Sequence, residues 1–582
     1  MTDKRTKLKV LVGASLPAPH PDHDHPQTAG GSENPRQQPD GHSSTAPADF
    51  VVIRRGPNGR FTSAHHADAE AIRSKKKKKK LMTRDGTTRD ETWVLTEPAP
   101  GGPEDPTLIP SFKGHAAFRL WNQPELARGL IGYYSHDRGL DFLTRYEFAS
   151  SGSLELVQGT GLFHLRECVT RNLNLPLLTA FVERWQPDTN TFHMPFGEMT
   201  ILLHDVFHIL RIPVDGELLS RGCDSFPGFL GLTMDDLVRL VDIDRGQSVT
   251  AHVHQHRNKD SEVKHYLLCL LGSILFMDKT RDRGVLDTIN LFVRDHERVK
   301  RYAWGVGTLA YLYRQLGVAS RAMSYAVGGC LTLLQAWIYE YFPSLRPTGY
   351  EPPTLKDGEA LAFRWKGAPL EGGHRPDAKQ LQYYRLMLDE LTAEDVTWLP
   401  YGQNPGQVVP LSLYHGVIRF GDVGEMYDPG RCLRQFGYRQ VVPIHPIKPA
   451  YAFRPASGMG YDVRFDSVLD NFWSYRHRHT LQLDTISAPA QPLWEADEDY
   501  SDWYFKHSHP FIVKPHGMED PRGNAIAYKL SIQIIENLRP MLTADDDTLP
   551  PQFLEMIRRA RGLLVEYDRR KARGPPTHSS LV

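Results

Sequence analysis

The chain has 582 residues, 40% of them hydrophobic, enough to bury a large core. Lysine plus arginine and aspartate plus glutamate both total 69, so no whole-chain field draws it to nucleic acid or an anionic membrane, and any such contact needs a local patch. Five widely spaced cysteines without a Cys-x-x-Cys pair exclude a disulfide framework and the close grouping of a zinc module, and fit a reducing compartment, nucleus or cytosol.

Leu8 to Leu16 is weakly apolar behind Lys4, Arg5 and Lys7, but falls short of a signal peptide. From Pro17 to Pro110 the chain is rich in Pro, Gly, Ser, His and charge and should be largely disordered, because it cannot bury enough apolar surface to offset its ordering entropy. Within it Lys75, Lys76, Lys77, Lys78, Lys79 and Lys80 follow Arg73. Six adjacent ammonium groups suit a nuclear localisation signal or a sequence-independent phosphate contact; a solvated linker is the plainer reading.

Composition changes at Ser111, after which Phe118, Leu120, Trp121, Leu126, Leu130 and Ile131 have helical spacing. Leu162, Leu165, Val169 and Leu173 repeat it, and Pro176 interrupts before Leu177 to Trp185. His265 to Met277 is apolar nearly all round, as in a central helix, and its longest apolar run is far below the roughly 20 residues of a membrane span. Tyr302 to Leu316 and Cys330 to Phe342 predict two further helices, broken by Gly328-Gly329. Thr191 to Met194, Gly416 to Phe420 and Gln440 to Ile444 predict short strands. Phe553 to Tyr567 predicts a closing amphipathic helix. Together these predict a mainly α chain: one large helical domain over 111–512 with a few short β-hairpins, a disordered basic arm over 1–110, and a C-terminal helical extension over 513–582 with a disordered end.

Leu173 to Gly216 is the most distinctive stretch. It holds Val182-Glu183-Arg184-Trp185, Thr191-Phe192-His193-Met194-Pro195, Gly197-Glu198-Met199-Thr200 and Pro213-Val214-Asp215-Gly216. Farther on come His265-Tyr266-Leu267-Leu268, Tyr302-Ala303-Trp304-Gly305, Gly328-Gly329-Cys330-Leu331, Arg434-Gln435-Phe436-Gly437-Tyr438 and Ser508-His509-Pro510. In this order, over roughly 115 to 512, they resemble the plant mobile domain, the "aminotransferase-like" family of the MAINTENANCE OF MERISTEMS-like proteins and of many plant transposon-encoded proteins. The resemblance implies a single mainly helical domain, an origin shared with mobile elements, and nuclear roles in meristem maintenance and silencing. Two positions depart from the family pattern: Leu202 stands where a capping Thr is usual, and Arg211 where Gly is usual.

Candidate chemistry is sparse. His204 and His208 lie one helical turn apart, but a zincin would need Glu where Asp205 stands, and a third ligand. His252, His254 and His256 alternate in a polar stretch that reads as a solvated loop. Some family members are labelled long forms of a serine/threonine phosphatase, yet only Asp242-Ile243-Asp244-Arg245-Gly246 is similar to such a site, and Gly421-Asp422-Val423-Gly424 lacks the needed histidine. No pyridoxal-phosphate assembly, phosphate loop or nucleophile elbow is present. Trp473 to His479 mixes aromatic and basic residues, as in contacts to single-stranded nucleic acid or as in an ordinary buried aromatic face with an exposed basic one. The expectation is a non-catalytic nuclear interaction protein without catalytic residues, cofactor or metal. Its partners would be other nuclear proteins, with phosphatase-like family members as candidates and no membrane. The alternative is a transposable-element-derived nucleic-acid-binding protein.

Overall fold

The computed structural model describes residues 52–55, 61–64, 95–133, 137–220, 259–277, 283–370, 377–402, 404–421, 423–443, 472–514, 557–558 and 561. Two units divide the chain, residues 1–91 and 92–582. In the first, β1 (Val52–Arg55) pairs antiparallel with β2 (Phe61–Ala64), Val52 opposite Ala64. This hairpin falls inside the arm expected to lack structure; its signal, a β-branched run ahead of Gly56-Pro57-Asn58-Gly59, is short against the polar surroundings. Lys75 to Lys80 lie outside the described residues.

The second unit is packed from well before Ser111. Ala99, Ile109 and Phe112 join Ala117 and Ile512 in a small apolar cluster, and the Glu104 and Asp105 amides donate to the Lys506 carbonyl at 2.8 and 3.0 Å. Residues 95–110, expected to belong to the arm, therefore form part of the folded unit. Their apolar side chains are too irregularly spaced to announce an element.

α1 (Ala116–Asn122) stops before Pro124, which opens a short 3-10 turn instead of extending the helix toward Ile131. α2 (Ser151–Gly159) starts at Ser150, whose hydroxyl accepts the Ser153 amide. Of the helix expected over Leu162 to Leu173 only the 3-10 turn Phe163–Glu167 forms. Leu162, Leu165 and Cys168, three apart, are all buried, which suits the three-residue repeat of that turn. α3 (Leu175–Val182) begins at Pro176 rather than breaking there: proline occupies the first turn, and Asn174 accepts the Leu177 amide at 3.2 Å.

β3 (Trp185–Gln186), β4 (Thr191–Met194) and β5 (Gly197–Met199) form a buried antiparallel meander with Trp185 opposite Phe192 and Phe192 opposite Met199. α4 (Leu203–Leu210) and β6 (Leu219–Ser220) follow. α5 (Lys259–Ile274), α6 (Arg283–Phe292), α7 (Trp304–Ala319) and α8 (Leu331–Tyr341) supply much of the core, and all 11 residues of α8 are buried. Between α7 and α8, Gly329 has φ +86 and a Cβ there would meet Leu312 at 2.9 Å, so the break needs glycine.

α9 (Ala378–Asp389) carries a full capping box between Asp377 and Gln380. β7 (Gly416–Gly421) and β8 (Val423–Tyr427) form a hairpin, with β6 parallel to β7. The strand expected at Gln440 to Ile444 reduces to an isolated bridge, Gln440 to Ala496, and Ile444 is outside the described residues. α10 (Glu498–His507) follows. Of the expected closing helix only Ile557, Arg558 and Arg561 are described, and they are helical. The fold is mainly α with short strands. No helix among the described residues is long and apolar enough to cross a membrane.

Candidate functional site

The polar residues of the signature stretch point inward. At the end of α3 the chain turns into β3, and Glu183 and Arg184, the charged pair of the turn, are both fully buried. Arg385 on α9 grips Glu183 through two bonds of 2.7 and 2.6 Å, and Arg128 approaches its Oε1 at 3.4 Å. Arg184 reaches the other way, to Asp389 at 2.5 Å and to the carbonyls of Ala180 and Arg385. Asp389 in turn accepts the amides of Ile512 and Val513. One two-residue motif thus ties α3, α9, the Arg128 segment and the chain near 512 together. Burial lowers the Arg184 pKa and raises that of Asp389, each opposed by the charge of the other.

The next motif residues do the same work around the meander. His193 on β4 sits opposite Glu198 on β5, 3.3 Å between Nε2 and Oε1, and Arg431 donates to Glu198 at 2.6 Å. Burial alone would raise the Glu198 pKa, but the Arg431 charge and the His193 contact hold it at about 2. The ring of His509, from the Ser-His-Pro motif, packs tilted against those of His193 and His115, 4.6 and 4.7 Å from centre to centre. His115 Nε2 bonds the Trp185 carbonyl at 2.8 Å while its Nδ1 accepts the Ala117 amide at 3.1 Å, the pattern of a neutral ring with its proton on Nε2. Burial pushes its pKa down to about 3 and that of His509 well below the usual value.

The late Arg-Gln-Phe-Gly-Tyr motif completes the network. The Gln435 carboxamide accepts the Thr200 amide at 3.0 Å and donates to the Thr200 carbonyl at 2.8 Å, acting as a strand partner where the meander ends. Arg434 is buried with no carboxylate partner among the described residues. It donates to the Phe196 carbonyl at 3.0 Å and lies 4.5 Å from the Trp398 ring centre and 5.7 Å from that of Tyr500.

His204 and His208, one helical turn apart on α4, have different surroundings. His204 is buried beside the Tyr341 hydroxyl at 3.3 Å, whereas His208 stacks on Tyr401 at 4.8 Å. Burial lowers their pKa values to about 3 and about 4. No group of three or more His, Cys, Asp or Glu residues placed to hold a metal occurs among the described residues. Asp205 between them accepts the Leu202 amide at 2.6 Å and the Tyr341 hydroxyl at 2.9 Å, and burial raises its pKa to about 7. This is half a capping box: the Asp side is made, while Leu202 has no acceptor and spends its side chain in the core. Arg211 takes the left-handed conformation at the helix end, φ 52 and ψ 40, where the family pattern favours glycine.

In the aromatic-basic stretch, Trp473 is buried and donates to the Gly216 carbonyl at 2.9 Å, and Arg476 pairs with Asp215 at 2.6 Å. Of the aromatic and basic side chains there, Tyr475, His477 and Arg478 are exposed. His252, His254, His256, Asp242 to Gly246 and Asp422 lie outside the described residues. Missing from the sequence reading were His115, Arg128, Arg385, Asp389 and Arg431. Their partners are far away in sequence, 202 residues in the case of Arg385 and Glu183, and no local pattern marks them.

Such motif residues, spread over the chain yet joined in one interior, define a scaffold held in common by a family, and the family model of the plant mobile domain matches residues 161–505, more than half of the chain. The chain belongs to the plant mobile domain family. It is similar to Protein MAIN-LIKE 1 of Arabidopsis thaliana, 30% identical over 449 residues that cover 73% of this chain and 83% of the relative. It is likewise similar to Protein MAINTENANCE OF MERISTEMS of that plant, 34% identical over 313 residues, 50% of this chain and 63% of the relative. A third, Serine/threonine-protein phosphatase 7 long form homolog of the same plant, is 30% identical over 387 residues, 59% of this chain but 27% of that relative. No solved structure matches the chain.

Proposed function

We propose that this chain is a non-catalytic nuclear interaction protein whose plant mobile domain serves as a rigid scaffold, acting in meristem maintenance, development and the silencing of mobile elements. The observation that carries this reading is the fate of the charged motif residues: Glu183, Arg184, Glu198 and Arg431 are all buried and paired, Glu183 with Arg385, Arg184 with Asp389 and Glu198 with Arg431. Catalytic acids and bases must meet a substrate. These side chains instead meet α9, the meander and the chain near 512. Meristem maintenance is suggested by the name of one relative, MAINTENANCE OF MERISTEMS. The phosphatase name of another makes phosphatase-like family members candidate partners. Lys75 to Lys80 supply the import signal in this reading. A transposable-element-derived nucleic-acid-binding role is less well supported, because Trp473 and Arg476 spend their recognition groups on Gly216 and Asp215.

The test uses the tagged full chain in plant cells beside a variant with all six lysines changed to Gln. Nuclear signal that is lost in the variant, with nuclear proteins recovered by wild-type affinity purification, is the expected result. Cytosolic imaging of the wild type with only cytosolic partners would sink the proposal.

A further inference from the structure

A cavity of about 440 Å3 opens between the segment leading into α2, one face of α2 and the Phe163–Glu167 turn. Its size falls in the range of small-molecule sites. Tyr146, Phe148 and Phe163 line one side, and Ser151, Leu154 and Arg166 contribute to the rest. The aromatic wall is pinned from behind: the buried Glu262 carboxylate accepts the Tyr146 hydroxyl at 2.9 Å and the Ala149 amide at 2.8 Å. Tyr266 backs the wall, its ring 4.8 Å from Phe148 and 6.1 Å from Phe163. The walls are therefore fixed before anything enters, which reduces the ordering cost of binding.

The Arg166 guanidinium is left with unused capacity. Arg166 lies flat over the Phe163 ring at 4.3 Å, and its only carboxylate contact among the described residues is Glu167, through Nε at 3.3 Å. Glu167 is itself engaged more closely by Lys366, at 2.6 Å. The buried Tyr266 hydroxyl, behind the wall and not part of the cavity lining, lies beside the Arg166 guanidinium and helps to position it. Glu147 stands at the exposed rim of the same cavity. One guanidinium inside and one carboxylate at the mouth favour a single negative charge over a dianion such as a phosphate monoester.

We infer that this cavity binds a small monoanionic organic acid, its flat apolar body against Tyr146, Phe148 and Phe163 and its carboxylate on Arg166. The site shares no residue with the buried charge network and stands apart from the proposed scaffold role.

The test is calorimetric titration of the full chain with 2-naphthoate, neutral 2-naphthamide and 2-naphthyl phosphate. Naphthoate should bind most tightly of the three. Arg166→Gln should weaken naphthoate at least about tenfold and leave naphthamide within about twofold. Glu147→Gln, on the exposed rim and so harmless to folding, should tighten the phosphate more than the carboxylate. Absence of naphthoate binding up to millimolar concentration would overturn the inference, as would equal binding of acid and amide or an Arg166→Gln variant that binds naphthoate unchanged.

Discussion

Leu202 and Arg211, the two residues at which this chain departs from its family, bracket α4 and should respond in opposite directions to restoration. Arg211 holds a left-handed backbone that costs a non-glycine residue about 1–2 kcal/mol. Its compensation is a 3.3 Å bond from Nε to the Glu359 carbonyl and a guanidinium 5.0 Å from the Phe207 ring centre. Arg211→Gly should therefore gain about 0.5–1 kcal/mol in urea unfolding, strain relief exceeding two partly exposed contacts; a loss would mean those contacts are worth more than the strain. Leu202→Thr should lose about 1–2 kcal/mol, because the cap it would restore is worth about 1 kcal/mol while the buried leucine it removes is worth more. Glu183 stands at the other extreme. Removing its charge alone by Glu183→Gln leaves Arg128 and Arg385 buried without their counter-ion, and should cost about 3–5 kcal/mol, read as a large drop in melting temperature. From the sequence this residue is only part of an aromatic-basic turn; its burial depends on arginines at 128 and 385 that no local pattern connects to it.

Among the elements, those legible in the sequence are the ones whose own side chains decide their state. α5, α7 and α8 are apolar on most faces and emerge close to the expected positions. The stretch from Leu162 to Leu173 misleads because a spacing of three serves a 3-10 turn as well as a helix, and Pro176 misleads because proline is as much at home in a first turn as it is disruptive in a helix interior. What joins the elements is less visible still. His115 before α1, His193 on β4 and His509 after α10 meet as neutral rings. An unfolded imidazole takes up its proton near pH 6.5, whereas His115 does so in the folded chain only at about 3 and His509 well below its usual value, both because burial disfavours the charged ring. Each ring therefore contributes stability that is complete above about pH 6.5 and is lost as the pH falls. Asp205 runs the opposite way: raised to about 7, it holds its proton in the folded chain, and its contribution fades as the pH rises through 7. The two trends overlap in the wild-type curve, so the comparison should be with His509→Gln. The stability gap between wild type and variant should narrow from pH 7 to pH 4, by up to about 1.4 kcal/mol per pH unit. A gap constant over that range would show that the ring does not titrate against folding.

On the scale of the whole molecule, the second unit closes on itself through both ends of its described core. Residues near 95–112 and 508–513 share one apolar cluster, and Asp389 holds the second of them by its backbone amides. The family match ends at 505, short of that closure. Truncation after Phe505 should therefore expose residues 95–115 to limited proteolysis, whereas truncation after Lys514 should leave them protected. The most direct measurement of whether the motif charges are architecture or function is a triple replacement, Arg128→Met, Glu183→Leu and Arg385→Met, compared with Glu183→Gln in melting temperature and in nuclear partners recovered. A buried ionic triad exchanged for apolar side chains of similar volume often retains or gains stability. If these residues serve the scaffold, the triple variant stays folded and keeps the wild-type partners, while Glu183→Gln loses stability and partners together. A triple variant that melts like the wild type yet recovers none of its partners would contradict that role, placing the charges themselves in the function.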